Sequence, residues 1–198
     1  MKKAAVLVLV VCAALAAAQK PLAKAKTPSR VDAIMDLAND RMATQIDVAF
    51  DDGDFPAVIS FLRLQAEQYP ADYEVWTNLG WMQENVEAYD AALATYVRYR
   101  RQNPQEPDAA YPEANFYAMK KLYAKVPPLL EPAIKNPKVH ANLYRTLARA
   151  YDKLGMLTDA ARVYRALTVR DPKDGAAKVN LKRVEGKIKG NKRQGTGK

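Results

Sequence analysis

The sequence predicts an all-α fold, an α-solenoid of about four helical hairpins closed by a C-terminal capping helix. Two observations support this prediction. Glycine is scarce, with 8 among 198 residues, and helix formers such as alanine, leucine, lysine and arginine are common. Prolines follow polar residues at Pro70, Pro104 and Pro172, and the second interval is twice the first. The first interval matches the period of about 34 residues that is typical of stacked helical hairpins.

Residues 1–18 have the composition of a secretory signal peptide. Lys2 and Lys3 precede an apolar run, and three alanines precede Gln19. The run is shorter than the roughly 18 to 20 residues that cross a bilayer, so we expect cleavage after Ala18 and a periplasmic or secreted protein. Val11 stands directly before Cys12, where the lipoprotein motif requires a small residue, so lipidation is not expected. Cleavage would also remove the one cysteine of the chain, which leaves no disulfide.

Positive charge is concentrated at the two ends of the chain. Residues 19–30 form a basic stretch without apolar periodicity and are predicted to be a disordered linker. From residue 173 onward, nine basic residues face only Asp174 and Glu185. The formal net charge of +9 therefore comes from the two ends of the chain, and the part between them is mildly acidic.

Two stretches of the chain share one core pattern. The stretch that ends at Pro104 contains, in order, Trp76, Leu79, Gly80, Tyr89, Ala92 and Tyr96. The stretch that ends at Pro172 contains Tyr144, Leu147, Ala148, Tyr151, Gly155, Ala160 and Tyr164. Small residues let two helices approach closely, and large ones fill the space between turns. The pattern resembles the tetratricopeptide (TPR) family, which implies two antiparallel helices in each unit.

Four TPR-like units account for residues 31–172, with bounds at 31–70, 71–104, 105–138 and 139–172. The third unit is degenerate because Lys121 replaces the turn glycine and Pro127-Pro128 interrupt its second helix. We expect that helix to start at the prolines, where a missing N–H is tolerated. Residues 173–189 are predicted to form the capping helix, and residues 190–198 a disordered basic tail.

The residues outside the predicted signal peptide offer little catalytic chemistry. They contain one histidine, His140, and two serines, Ser29 and Ser60. A catalytic arrangement would have to combine His140 with Ser60, which would lie two units away in the stack. The acidic run 51–54 lacks the spacing of a calcium loop, and we interpret it as a turn in which Asp54 caps the next helix. No phosphate-binding or dinucleotide motif is present. We therefore expect no enzymatic activity, no cofactor and no metal.

The resemblance implies a binding surface instead. In TPR proteins the first helix of each unit lines a concave groove that receives an extended peptide or a partner's helix. The groove positions that the resemblance assigns to this chain are Asp47, Phe50, Thr77, Trp81, Glu84, Tyr111, Asn115, Arg145, Arg149 and Asp152. This arrangement predicts a protein-binding scaffold, and its place in the cell would make it part of an envelope assembly.

Arg145 and Arg149 lie four residues apart and would share one helix face. They could hold a partner's carboxylate, or they could pair with Asp152 or extend into water. Some cytosolic relatives use a carboxylate clamp of lysine and asparagine, but Ala43 and Asp47 occupy the opening positions of that clamp here. A ligand of that kind is therefore not expected.

The basic C-terminal segment supports an alternative function. Its cations could hold anionic lipid headgroups or acidic polymer by weak, salt-sensitive attraction. No aromatic residues stand between them to stack on bases, so no specific nucleic acid is expected. A solubilising tail is the simpler interpretation. The candidate contact residues are Lys182, Arg183, Lys187, Lys189, Lys192 and Arg193.

Overall fold

The computed structural model of the chain describes residues 29–195, apart from the side chains of residues 32 and 192–195. The predicted signal peptide, all of the predicted linker before residue 29 and the last three residues lie outside the described residues. In this part of the chain every regular element is helical, which confirms the all-α fold class. The helices are α1 (Arg30–Asp51), α2 (Phe55–Gln68), α3 (Tyr73–Asn85), α4 (Tyr89–Gln102), α5 (Tyr111–Met119), α6 (Pro127–Ala133), α7 (Ala141–Lys153), α8 (Leu157–Arg170) and α9 (Gly175–Gly195).

The chain divides into two compact units, Met1–Asp40 and Arg41–Lys198. The described part of the first unit is the beginning of α1, which exposes the apolar side chains of Val31, Ile34 and Leu37. In the second unit each helix from α2 to α9 packs on its neighbour in sequence. None of the described helices carries an apolar stretch of the length that spans a bilayer.

A residue with a left-handed backbone conformation recurs once in every hairpin. Gly53, Glu87, Lys121 and Gly155 have φ angles of 74°, 60°, 61° and 75°. They are evenly spaced at the repeat period of about 34 residues, and each lies just after the first helix of a hairpin. In every case the next N–H donates to the carbonyl five residues earlier, as Asp54 does to Ala49 at 2.8 Å, which satisfies an orphan carbonyl of the helix end. The repeat seen in the side chains is thus also a repeat of the backbone.

Close helix packing depends on the small residues that the sequence places in the core. A Cβ built on Gly80 would lie 2.1 Å from the Tyr96 ring, so α3 and α4 meet there without a side chain between them. Ala92, Ala148 and Ala160 are fully buried. The large core residues predicted from the repeat are buried as well: Trp76, Tyr96, Tyr151 and Tyr164.

The third hairpin departs from the pattern, as its sequence predicted. Helix α5 has 9 residues, a 3-10 turn follows at Tyr123–Lys125, and α6 begins at Pro127. Although short, α6 still buries Leu130 completely. A proline at the start of a helix removes only an N–H that has no partner there.

Two terminal boundaries differ from the sequence prediction. Helix α1 already begins at Arg30, inside the predicted linker. Helix α9 continues to Gly195, whereas disorder was predicted from residue 190. The polar residues between Gly190 and Gly195 are adequate helix formers, and a helical glycine costs only about 1 kcal/mol. The predicted tail is therefore helical over residues 190–195.

Candidate partner-binding groove

An apolar depression of about 230 Å³ lies where α1, α2 and α3 meet. We call it the Trp81 depression, because Trp81 is its most exposed large apolar side chain at 52%, followed by Phe50 at 45%. Buried Val58, Leu62 and Met82 lie among the lining residues. The full lining consists of Ile46, Asp47, Phe50, Val58, Leu62, Asn78, Trp81 and Met82.

The helix period explains why one tryptophan of α3 is buried and the other is exposed. Trp76 is 2% exposed and its ring centroid lies 5.9 Å from that of Tyr99 in the core. Trp81 follows five residues later, about 140° around the helix, and so emerges on another face. Phe50 is held at the rim by an edge contact with Phe55, with ring centroids 5.8 Å apart. The structure thus brings together three predicted groove residues, Asp47, Phe50 and Trp81.

Sequence reasoning missed the other lining residues of the depression. Ile46, Asn78 and Met82 each stand one helical turn or less from a predicted groove residue. A spacing of three to four residues on one helix face was the signal that could have found Ile46, from Phe50, and Asn78, from Trp81. The α2 residues could not be found in this way, because they belong to the second helix of the hairpin.

The other two predicted positions on α3 already have partners. The Thr77 hydroxyl donates to the carbonyls of Tyr73 and Glu74 within its own helix, at 2.9 Å and 3.0 Å. Glu84 accepts a hydrogen bond of 2.8 Å from the Tyr96 hydroxyl. Burial and that bond to a carboxylate raise the pKa of Tyr96 above its ordinary value. Neither Thr77 nor Glu84 is among the residues that line the Trp81 depression.

The third hairpin contributes little open surface at the predicted positions. Tyr111 is half-buried and packs against the C-terminal core, the cluster of buried residues that extends from Ala114 to Val184. Asn115 is half-buried on α5. Neither residue lines the Trp81 depression. Among the predicted groove positions, the exposed large apolar side chains are therefore Phe50 and Trp81 of the first two hairpins.

Arg145, which was predicted to hold a partner's carboxylate, is engaged within the chain. Its guanidinium donates to Asp174 through Nε at 3.0 Å and through Nη2 at 2.7 Å, and to Asn142 at 2.7 Å. Asp174 in turn accepts from the N–H of Ala177 at 2.9 Å and so caps α9. The backbone N–H of Ala177 and the Arg145 side chain hold the pKa of Asp174 below its ordinary value. Arg149 remains exposed.

Asp152 is also engaged within the chain, and its partners are not Arg145 or Arg149. It forms ion pairs with Arg183 and Lys187 of α9, both at 2.8 Å, and its side chain is only 9% exposed. Burial opposes ionisation of this carboxyl, but the bonds from the two cations outweigh it and lower its pKa. Asp152 thus attaches the capping helix to α7.

The same contacts divide the four predicted anionic-surface residues whose side chains are described into two groups. Arg183 and Lys187 are engaged by Asp152, so they are not free cations. Lys182 and Lys189 are exposed, and no carboxylate pairs with them in the described part of the chain. The side chains of Lys192 and Arg193 lie outside the described residues.

The sites considered for chemistry have structural roles. Asp54 caps α2 by accepting from the N–H of Ala57 at 3.1 Å, as predicted for the acidic turn. His140 caps α7 by accepting from the N–H of Asn142 at 3.3 Å, and its own N–H donates to Asp108 at 2.8 Å. No group of three or more potential metal ligands converges among the residues that the structure describes.

Comparison with known proteins identifies the fold. Neither the protein-family models nor the curated proteins provide a match. Among solved structures, MamA (41-end) from Desulfovibrio magneticus RS-1 superposes with a TM-score of 0.60 at 18% identity, covering 78% of this chain and 87% of that one. A double mutant of MamA RS-1 gives 0.61 at 19% identity, with 76% and 84% covered. Another MamA crystal structure gives 0.58 at 21% identity, with 72% and 84% covered. These likenesses show that the chain has the α-solenoid fold of TPR-like helical hairpins.

Proposed function

We propose that the protein is a non-enzymatic scaffold that binds a segment of a partner protein in the groove of its first two hairpins. The observation that carries this proposal is the exposed pair of aromatic residues, Phe50 and Trp81, beside an open apolar depression. Apolar side chains gathered around a concavity mark interaction sites. A partner that covers the exposed halves of both rings, about 100 Å² each, would gain about 2 to 3 kcal/mol from each.

The place of action that we propose is the bacterial envelope or the medium. This part of the proposal is supported by the composition of residues 1–18, with its charged start, apolar run and small residues. The TPR-like fold supports the scaffold role, because stacked hairpins build extended concave binding surfaces.

The proposal is tested by crosslinking in cells of the source organism. The tagged protein is recovered from periplasmic and medium fractions, and attached proteins are identified by mass spectrometry. Trp81→Ala should lose the specific partner while the far-ultraviolet circular dichroism stays unchanged, because the side chain is half exposed. Leu64→Ala is the matched control, since Leu64 is a 56% exposed apolar residue of α2 outside the depression. A partner retained equally by both variants would refute groove binding.

A basic stripe on α9 supports the alternative, an electrostatic contact with anionic lipid headgroups or acidic polymer. Lys178, Lys182 and Lys189 are exposed, and their spacing places them within about 40° of one another around the helix. Changing all three to glutamine should abolish sedimentation with phosphatidylglycerol vesicles at low salt. Equal sedimentation of the triple variant and the parent protein would dismiss this alternative.

A further inference from the structure

We infer that the segment bound in the Trp81 depression presents a bulky apolar residue next to a lysine or arginine. This inference rests on the proposed function and adds the chemistry of the partner. The depression supplies the apolar half of the match through Phe50 and Trp81. The charges around the depression determine which charge the bound segment should carry.

The charge that lines the depression is negative. Asp47 is its one ionisable lining residue, it is exposed, and no basic side chain pairs with it in the described part of the chain. Asp51 follows four residues later on the same face of α1. A cation carried by the partner would therefore meet an unpaired carboxylate at the rim, whereas an anion would be repelled.

The end of α1 strengthens this preference. The last turn of a helix carries a partial negative charge and favours cations, yet the last turn of α1 contains no basic residue. Asp47, Asp51 and Asp52 crowd this end instead. Like charges four residues apart on a helix destabilise it. A bound lysine or arginine would relieve that repulsion, so binding of a basic segment gains from an unfavourable arrangement in the free protein.

The basic residues predicted to line the groove on α7 do not favour an acidic segment. Arg145 was the predicted receptor for an acidic partner, but Asp174 and Asn142 satisfy it. Arg149 is one exposed cation on α7 and is not among the residues that line the Trp81 depression. The observations thus favour a basic amphipathic segment over an acidic one.

The test uses two fluorescein-labelled peptides of equal length with leucines at the same positions, one with lysines and the other with glutamates at the remaining charged positions. Fluorescence anisotropy with the purified full chain at low salt measures both affinities. The lysine peptide should bind about tenfold more tightly than the glutamate peptide, and salt should narrow the gap. Asp47→Asn should weaken the lysine peptide about threefold, since an exposed ion pair contributes little more than that.

Two further readouts separate charge recognition from damage to the fold. Asp47→Asn should raise the midpoint of thermal unfolding slightly while it weakens the lysine peptide, because it removes repulsion at the end of α1. Asp90→Asn is the matched control, since Asp90 is an exposed acid on α4 away from the depression, and it should leave both affinities unchanged.

The outcomes distinguish this inference from the function on which it rests. Tighter binding of the glutamate peptide, or no binding of the lysine peptide, would overturn the inference. So would lysine-peptide binding that Trp81→Ala abolishes but Asp47→Asn leaves unchanged. Each of these results leaves groove binding to be judged by the partner recovered in the crosslinking experiment, which does not depend on the sign of the charge.

Discussion

At the scale of single residues, backbone strain is concentrated at the turns between paired helices. The turn position has a positive φ angle in all four hairpins, but only Gly53 and Gly155 are glycines there. Glu87 and Lys121 carry a Cβ into a conformation that costs about 1 to 2 kcal/mol for an L-residue. Both side chains are exposed. The fold therefore tolerates strain at two turns whose side chains do not pack in the core.

Replacing these two residues by glycine should stabilise the protein. Glu87→Gly and Lys121→Gly should each raise the free energy of unfolding by about 1 kcal/mol, because the gain from relieved strain exceeds the added flexibility of the unfolded chain. Urea denaturation followed by circular dichroism measures the change. Gly155→Ala is the reverse control and should destabilise by about 1 kcal/mol. Lower stability of both glycine variants would contradict this explanation.

A second residue-scale prediction concerns the close approach at Gly80. Gly80→Ala would place its Cβ against the Tyr96 ring, which is confined by Phe116 at a centroid distance of 6.3 Å and by its bond to Glu84. The substitution should destabilise the protein by about 1 to 3 kcal/mol. In a double-mutant cycle, Tyr96→Leu should lessen this loss, because the smaller side chain removes the clash. Strict additivity of the two changes would show that the ring is not the obstacle.

At the scale of elements, α9 is fixed to the stack by acids on neighbouring segments. Asp152 holds Arg183 and Lys187, and Asp174 links the start of α9 to Arg145. A further ion pair joins Glu185 of α9 to Arg165 of α8 at 2.6 Å. These polar contacts supplement the apolar contact of Val184 and Ala177 with the C-terminal core.

Acidification should therefore loosen α9. The folded pKa values of Asp152 and Asp174 lie below the unfolded value of about 3.9. Their contribution to stability is present above about pH 4 and is lost as the pH falls through the lower folded values. Amide chemical shifts of α9, measured by NMR from pH 6 to pH 2.5, should change before those of α7. Asp152→Asn should show part of this loosening at neutral pH, at a cost of about 1 to 2 kcal/mol. Shifts of α9 that move only with those of α7 would contradict the idea.

The elements also show what the sequence could and could not predict. The regular spacing of prolines and small residues predicted the helical hairpins, because hairpin packing requires those residue types at fixed intervals. The start of α6 at Pro127 followed from local chemistry in the same way. The ion pairs of Arg145 with Asp174 and of Asp152 with Lys187 could not be predicted, because their members stand 29 and 35 residues apart along the chain. The period assigns residues to helix faces, but these pairings depend on how α9 lies across α7.

The same limit applies to the groove. Periodicity placed Asp47, Phe50 and Trp81 on first helices, but their convergence on one depression depends on how α2 and α3 pack beside the end of α1. Glu84 looked equally available in the sequence, and its bond to Tyr96 became evident only in the folded chain. An unpaired charge can be recognised only when all its neighbours are known.

At the scale of the second compact unit, the hydrophobic core is divided. One cluster joins the first two hairpins and includes Trp76 and Tyr99. The other extends from Ala114 to Val184. A small cluster of Ala92, Tyr96 and Phe116 lies between them. Polar links also cross this boundary, including the ion pair of Arg100 with the buried Glu113 at 2.7 Å and the bond from the His140 N–H to Asp108.

A solenoid transmits stability only between neighbouring repeats, so the small cluster should couple the unfolding of the two larger ones. Phe116 is 5% exposed, and its ring centroid lies 6.3 Å from that of Tyr96 on α4 and 6.0 Å from that of Tyr117, which also packs against the C-terminal cluster. Phe116→Ala should remove about 3 to 5 kcal/mol. Most of this loss should fall on the contact between the two larger clusters. The variant should therefore let the two clusters unfold separately, in addition to lowering their stability.

Both tryptophans of the chain, Trp76 and Trp81, belong to the first two hairpins, which provides a probe for one half alone. In urea, fluorescence and circular dichroism should report one common transition for the parent protein. In Phe116→Ala the fluorescence midpoint should fall below that of the circular dichroism, because the smaller N-terminal cluster unfolds first. Phe116→Leu keeps an apolar side chain at the junction and should keep the two transitions together. Coincident transitions in Phe116→Ala would mean that the polar links and backbone suffice to couple the halves, and that the aromatic junction is not what makes this stack unfold as one unit.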